Sequence, residues 1–106
     1  MAWIYLVVAG LFEIGFTTFL KLSDGFTKLW PSLGFLVFSA ISFLLLTVAM
    51  RVIPLGTAYA VWTGIGALGT AVVGILFFED PVSVLRIMFL MLLIGSIVGL
   101  KLVSAS

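Results

Sequence analysis

Residues 3–20 read Trp3-Ile4-Tyr5-Leu6-Val7-Val8-Ala9-Gly10-Leu11-Phe12-Glu13-Ile14-Gly15-Phe16-Thr17-Thr18-Phe19-Leu20, a run with one charged side chain, Glu13. A helix of this length crosses a bilayer, because a hydrocarbon core about 30 Å thick takes roughly 20 residues at 1.5 Å each. At that rise Glu13 lies roughly 15 Å from the start of the run, close to mid-depth. A carboxylate placed there costs about 2.5–3.5 kcal/mol on insertion scales, and side chains of this kind mark ion pathways and proton relays.

The rest of the chain repeats the apolar pattern. Of its 106 residues 64% are hydrophobic and 8% charged, more apolar surface than a soluble domain of this size buries. Four spans are predicted, at about 2–20, 31–50, 55–78 and 82–103, as one four-helix transmembrane domain over residues 1–106. The fold class is all-α integral membrane, since only helices or closed barrels satisfy their backbone in lipid. The connections are short: Lys21 to Trp30 with Asp24-Gly25 as a turn, Arg51 to Pro54, and Glu79-Asp80-Pro81, with both prolines placed where a helix can begin. The first span does not read as a signal peptide, because it lacks a basic leader and a small-residue cleavage site and carries Glu13.

The residue inventory narrows the chemistry. Cysteine and histidine are absent, and so are asparagine and glutamine. This removes thiol and histidine nucleophiles, the Ser-His-Asp triad and most zinc sites. No enzyme, metal site or cofactor is expected. A net charge of +1 provides no basic stripe for nucleic acid. Gly64, Gly66 and Gly69 spell G-x-G-x-x-G, but they lie inside a membrane run and not in a strand-turn-helix unit. They are expected to serve close helix packing.

Polar groups that face Glu13 define the candidate site. Phe16 and Thr17 lie three and four residues on and share its helical face, as do the small Ala9 and Gly10 before it. Ser42 is deep in the second span. Tyr59, Trp62, Thr63 and Gly66 form a stripe on the third. Tyr, Trp and Ser all donate hydrogen bonds, and aromatic faces attract desolvated cations. One acid with aromatic donors and no base at that depth describes a cation site. In the fourth span, Gly95-Ser96-Ile97-Val98-Gly99 is a small-xxx-small pattern suited to helix packing, either within one subunit or between two.

Basic side chains are almost balanced across the membrane. The N-terminus, Arg51 and Lys101 fall on one side, and Lys21, Lys28 and Arg86 on the other. The positive-inside rule then sets no orientation. Four helices are too few to enclose a pathway and gate both ends. Two oppositely oriented copies would form an inverted repeat in which each half is a separate chain.

The chain resembles the small multidrug resistance family along essentially its whole length. The segments that carry the resemblance are Ala2-Trp3-Ile4, Glu13, and Leu20-Lys21-Leu22-Ser23-Asp24-Gly25-Phe26-Thr27, followed by Ile53-Pro54-Leu55-Gly56-Thr57-Ala58-Tyr59-Ala60-Val61-Trp62-Thr63-Gly64-Ile65-Gly66 and Gly99-Leu100-Lys101. The resemblance implies an antiparallel, dual-topology homodimer in the bacterial inner membrane. It also implies proton-coupled export of small organic cations through Glu13 of each subunit. Trp62-Thr63-Gly64-Ile65-Gly66-Ala67-Leu68-Gly69 looks like the guanidinium-exporter branch, in which Ser42, Tyr59 and Trp62 would brace the carboxylate. Position 16 is tryptophan in that branch and Phe16 here, and Thr17-Thr18 looks like the drug-exporting branch. Phenylalanine donates no hydrogen bond, so selectivity relaxed toward substituted guanidiniums and quaternary ammonium ions is expected. The alternatives are an exporter of bulky quaternary ammonium or aromatic cations, and a passive dual-topology channel.

The charge balance makes orientation testable. Single cysteines at Asp24 and at Ser106 should each be labelled from both faces of the membrane in cells; labelling from one face alone would exclude an antiparallel population.

Overall fold

The computed structural model describes residues 1–103 as four α-helices: α1 (Ala2–Leu22), α2 (Leu29–Ala49), α3 (Leu55–Phe77) and α4 (Val84–Val103). Ser106 lies outside the described residues. Each helix is long and apolar enough to cross a membrane, and α3, with 23 residues, is roughly 34 Å long at 1.5 Å per residue. The protein is therefore a multi-pass membrane protein.

The boundaries depart from the sequence expectation where side chains extend or delay a helix. α1 continues to Leu22, with Lys21 in its last turn, where a cation complements the helix dipole and its stem reaches the interface. α2 begins at Leu29, so Pro31 falls inside its first turn, where the missing N–H has no intrahelical partner to lose. Pro54 is the N-cap of α3, and its carbonyl accepts from Ala58 N at 2.9 Å. Pro81 does not begin α4. The helix starts at Val84, and the Ser83 hydroxyl accepts from Arg86 N at 3.1 Å, satisfying one exposed amide of the first turn. Between α1 and α2 the chain turns through Asp24, Gly25 and Phe26, all at positive φ. Buried Ser23 holds this turn, donating to Leu20 O at 2.7 Å and accepting from Phe26 N at 3.2 Å.

α1 is the central helix. It packs along both α2 and α3, whereas α4 packs chiefly on α3, reaches α1 through Lys101 over the Trp3 ring, and has no buried residue among those described. The core lies at one end, where the first half of α1 (Leu6, Ala9) meets the end of α2 (Leu46, Ala49), Ile53, and the start of α3 (Ala58, Val61, Trp62). Toward the other end, α1 and α2 interlock through Phe38, whose ring meets Phe12 and Phe19 edge-on at 5.1 and 5.2 Å. Edge-to-face packing of this kind is preferred by aromatic quadrupoles.

Glycines set the interhelical distances. A Cβ at Gly10 of α1 would lie 2.6 Å from the Ile65 side chain of α3. At Gly69 of α3 it would collide with Ile14. At Gly64 it would meet Ile97 of α4 at 3.0 Å and Leu93 at 3.4 Å. The glycines of the third span thus act in helix packing, as their membrane setting implies. The resulting body measures 43 × 35 × 17 Å. Its thinnest dimension is less than two helix diameters, so one chain forms a slab with no enclosed interior.

Because α4 is held mainly by α3, Gly64→Val should loosen it selectively. Overpacking of this kind costs about 1–3 kcal/mol, which should appear as a lower unfolding midpoint of the detergent-solubilised protein.

Candidate substrate site

Hydroxyl groups inside a membrane span need a hydrogen-bond partner, and the nearest one is the helix's own backbone. Most hydroxyls of this chain take it. Thr18 donates to Ile14 O at 2.8 Å, Ser39 to Leu36 O at 3.1 Å, Thr47 to Phe43 O at 2.8 Å and Ser96 to Leu92 O at 2.9 Å. Three deeper hydroxyls do not: Ser42, Thr63 and Thr70. All three stand around the helices that carry Glu13 and its neighbours.

Glu13 sits in the middle of α1, and its carboxyl lies against the backbone of Gly66 on α3. A methyl group at position 66 would occupy the space of the carboxyl. Only glycine admits this approach. Glu13 Oε1 is buried and accepts no hydrogen bond from the described residues. The basic side chains are all remote, at helix ends or in loops: Lys21, Lys28, Arg51, Arg86 and Lys101. The half-buried carboxyl therefore has no counter-ion from its own chain. Among the described residues there is also no cluster of acidic side chains that would hold a metal.

Ser42 and Trp62 come together as a pair. Ser42 is fully buried and donates to Ala9 O of α1 at 2.7 Å, while accepting from Trp62 Nε1 of α3 at 2.9 Å. One hydroxyl thus ties three helices. Within a single chain these two donors are directed at each other and at Ala9, not at Glu13. Tyr59 is more than half exposed, with its ring 5.8 Å from that of Trp62. From Trp62 the aromatic contacts continue to Phe43 at 5.4 Å, to Phe16 at 6.0 Å and on to Phe35 at 5.7 Å. Phe16 therefore belongs to an apolar aromatic wall beside Glu13.

The remaining candidates divide. Thr17 bonds α3 through Thr70 Oγ1 at 2.7 Å. The Thr63 oxygen is buried with no partner among the described residues. Gly66 is the seat of the carboxyl. Gly95 and Gly99 have open space where a Cβ would project, so on that side they pack against none of the described residues. Two contributors escaped the sequence reading, Thr70 and Phe43. Thr70 follows Gly66 by four residues as Thr17 follows Glu13, but that parallel becomes visible only once α1 and α3 are in register.

The sequence model for Small Multidrug Resistance proteins matches residues 1–93. The chain belongs to the small multidrug resistance family. Its relatives there include proteins named guanidinium exporter. That of Yersinia pestis is 53% identical over 104 residues, covering 98% of this chain and 100% of the relative. That of Citrobacter freundii is 47% identical over 102 residues, covering 96% and 97%. That of Proteus vulgaris is 46% identical over 104 residues, covering 98% and 100%.

Replacing Ser42 should disturb three helices at once. Ser42→Ala leaves Trp62 Nε1 without its acceptor and removes the extra bond to Ala9 O; a buried donor stranded in this way costs about 1–3 kcal/mol. The loss should be measurable as reduced resistance to unfolding, together with a change in Trp62 fluorescence.

Proposed function

We propose that this chain is a proton-coupled antiporter that exports guanidinium-type cations across the bacterial inner membrane, working as an antiparallel pair of copies. The observation that carries this reading is the half-buried Glu13 carboxyl, its Oε1 enclosed and unpartnered, seated on Gly66 with no counter-ion from its own chain. A carboxylate drawn partly out of water is unfavourable unless paired, so in the membrane it is either protonated or holds a cation. The two states exclude each other, and that competition is the exchange reaction: a cation entering from one side displaces protons, and protons entering from the other displace the cation.

The substrate class follows from the relatives and from the shape of the site. Full-length relatives are named guanidinium exporters, and guanidinium presents planar donors that meet a carboxylate in bidentate fashion. The aromatic wall of Phe16, Phe43 and Trp62 offers apolar contact and cation–π attraction. Phe16 carries no donor to lock the carboxyl in one plane. Substituted guanidiniums and small quaternary ammonium ions are therefore accepted alongside guanidinium. Ser42, Tyr59, Trp62 and Thr63 complete the lining.

The shape of one copy supports the need for a second. A 17 Å slab encloses no pathway, and α4 leaves Gly95 and Gly99 open to a neighbour. The near-balance of basic residues allows insertion in both orientations.

In liposomes with an imposed pH gradient, the wild-type protein should concentrate guanidinium against its gradient. Glu13→Gln should abolish that uptake while the protein still purifies as the same assembly. Downhill flux without proton movement would make it a channel, and transport confined to bulky aromatic cations would make it a multidrug exporter.

A further inference from the structure

Above the Glu13–Gly66 contact, one turn toward the C-terminal ends of both helices, stands the Thr17–Thr70 pair. Glu13 and Thr17 are four residues apart on α1, and Gly66 and Thr70 are four apart on α3, so the two contacts stack as successive rungs between parallel helices. A hydroxyl has one proton. Thr17 lies 3.0 Å from both Glu13 O and Ile14 O of its own helix. With its proton directed there, Thr17 accepts at 2.7 Å, and Thr70 donates. Thr70 makes no bond to its own helix among those found, unlike Thr18, Ser39, Thr47 and Ser96. Its hydroxyl is committed to α1.

The contacts around this rung are apolar and set distance without direction. Gly10 against Ile65 and Gly69 against Ile14 bring α1 and α3 close. Apolar surfaces slide and part with little geometric penalty, whereas a hydrogen bond demands a fixed distance and angle. On the loop side of the pair lies a cavity of about 170 Å³, lined by Thr17, Thr70, Lys21, Gly74 and Asp80. The hydroxyl pair is thus the polar fastening between that cavity and the carboxyl.

We propose that Thr70 is a positioning residue that sets substrate selectivity: its bond to Thr17 holds α1 against α3 beside Glu13 and so favours cations that bind without parting those helices. A small planar guanidinium meets the carboxyl edge-on and leaves the two helices together. A quaternary ammonium has no donor and four bulky arms, and seating it requires the helices to separate. The hydroxyl bond opposes that separation. This inference rests on the cation-binding role proposed for Glu13.

The test is a binding comparison on the intact purified protein, with guanidinium chloride and tetraethylammonium chloride as probes in calorimetry. Thr70→Val keeps the branched shape and removes the hydroxyl; it should shift the affinity ratio toward tetraethylammonium by about fivefold, the worth of one neutral hydrogen bond. Thr70→Ser keeps the hydroxyl and should keep the wild-type ratio. Thr17→Val combined with Thr70→Val should shift the ratio no further than the larger single change, since both remove the same bond. An unchanged ratio in Thr70→Val, or an equal shift in Thr70→Ser, overturns the proposal. Should Thr70→Val fail to fold, Thr70→Ala is read by the same ratio and the same outcomes. A wild-type protein that binds neither cation overturns the role of Glu13 itself, which separates that failure from this one.

Discussion

A carboxyl group pressed onto the bare backbone of a neighbouring helix is the contact on which the rest of this molecule depends. Glu13 reaches Gly66 because position 66 has no Cβ. The same close approach requires Gly10 beside Ile65 and Gly69 beside Ile14. Any larger residue along this seam would push α1 and α3 apart and expose the carboxyl to lipid. Dehydrating a carboxylate costs several kcal/mol, and here no basic side chain of the chain offsets it. That unmet electrostatic demand underlies the cation-binding role proposed for Glu13.

Hydroxyl groups in the spans are divided by the same economy of hydrogen bonds in lipid. Those that donate to their own helix are silent: the helix solvates them. Ser42 instead ties α1, α2 and α3 through Ala9 and Trp62, and Thr70 ties α3 to α1 through Thr17. These bonds bracket Glu13 along its helix, one toward each end. Between them lies the aromatic wall that includes Phe16. A polar frame of fixed geometry around an apolar, cation-attracting surface suits the recognition of small organic cations proposed for this site.

α4 stands outside this arrangement. It is fastened mainly to α3, through Gly64 against Ile97 and Leu93, and none of its described residues is fully buried. Its Gly95 and Gly99 leave room for close backbone approach by another helix. In a slab 17 Å thick, the element least needed for internal packing is the one with most surface left for assembly.

Length and hydropathy alone determined the four membrane helices, because lipid leaves an apolar run of this length no other way to satisfy its backbone. The isolated charge of Glu13 was equally legible, since its cost depends on depth and depth follows from counting residues. Resemblance along the chain supplied the family. The start of α4 was not legible: Pro81 looked like a helix start, but Ser83 could cap the first turn and Pro81 could not. Nor were the partners of the polar groups. Ser42, Tyr59 and Trp62 all read as donors to Glu13, and only tertiary structure decided that Ser42 and Trp62 bond each other while Tyr59 stands largely exposed. Thr70 was invisible for the same reason. A side chain's period along its own helix is written in the sequence, but its partner is set by the rotation and register of a second helix, which depend on where glycines let two backbones meet.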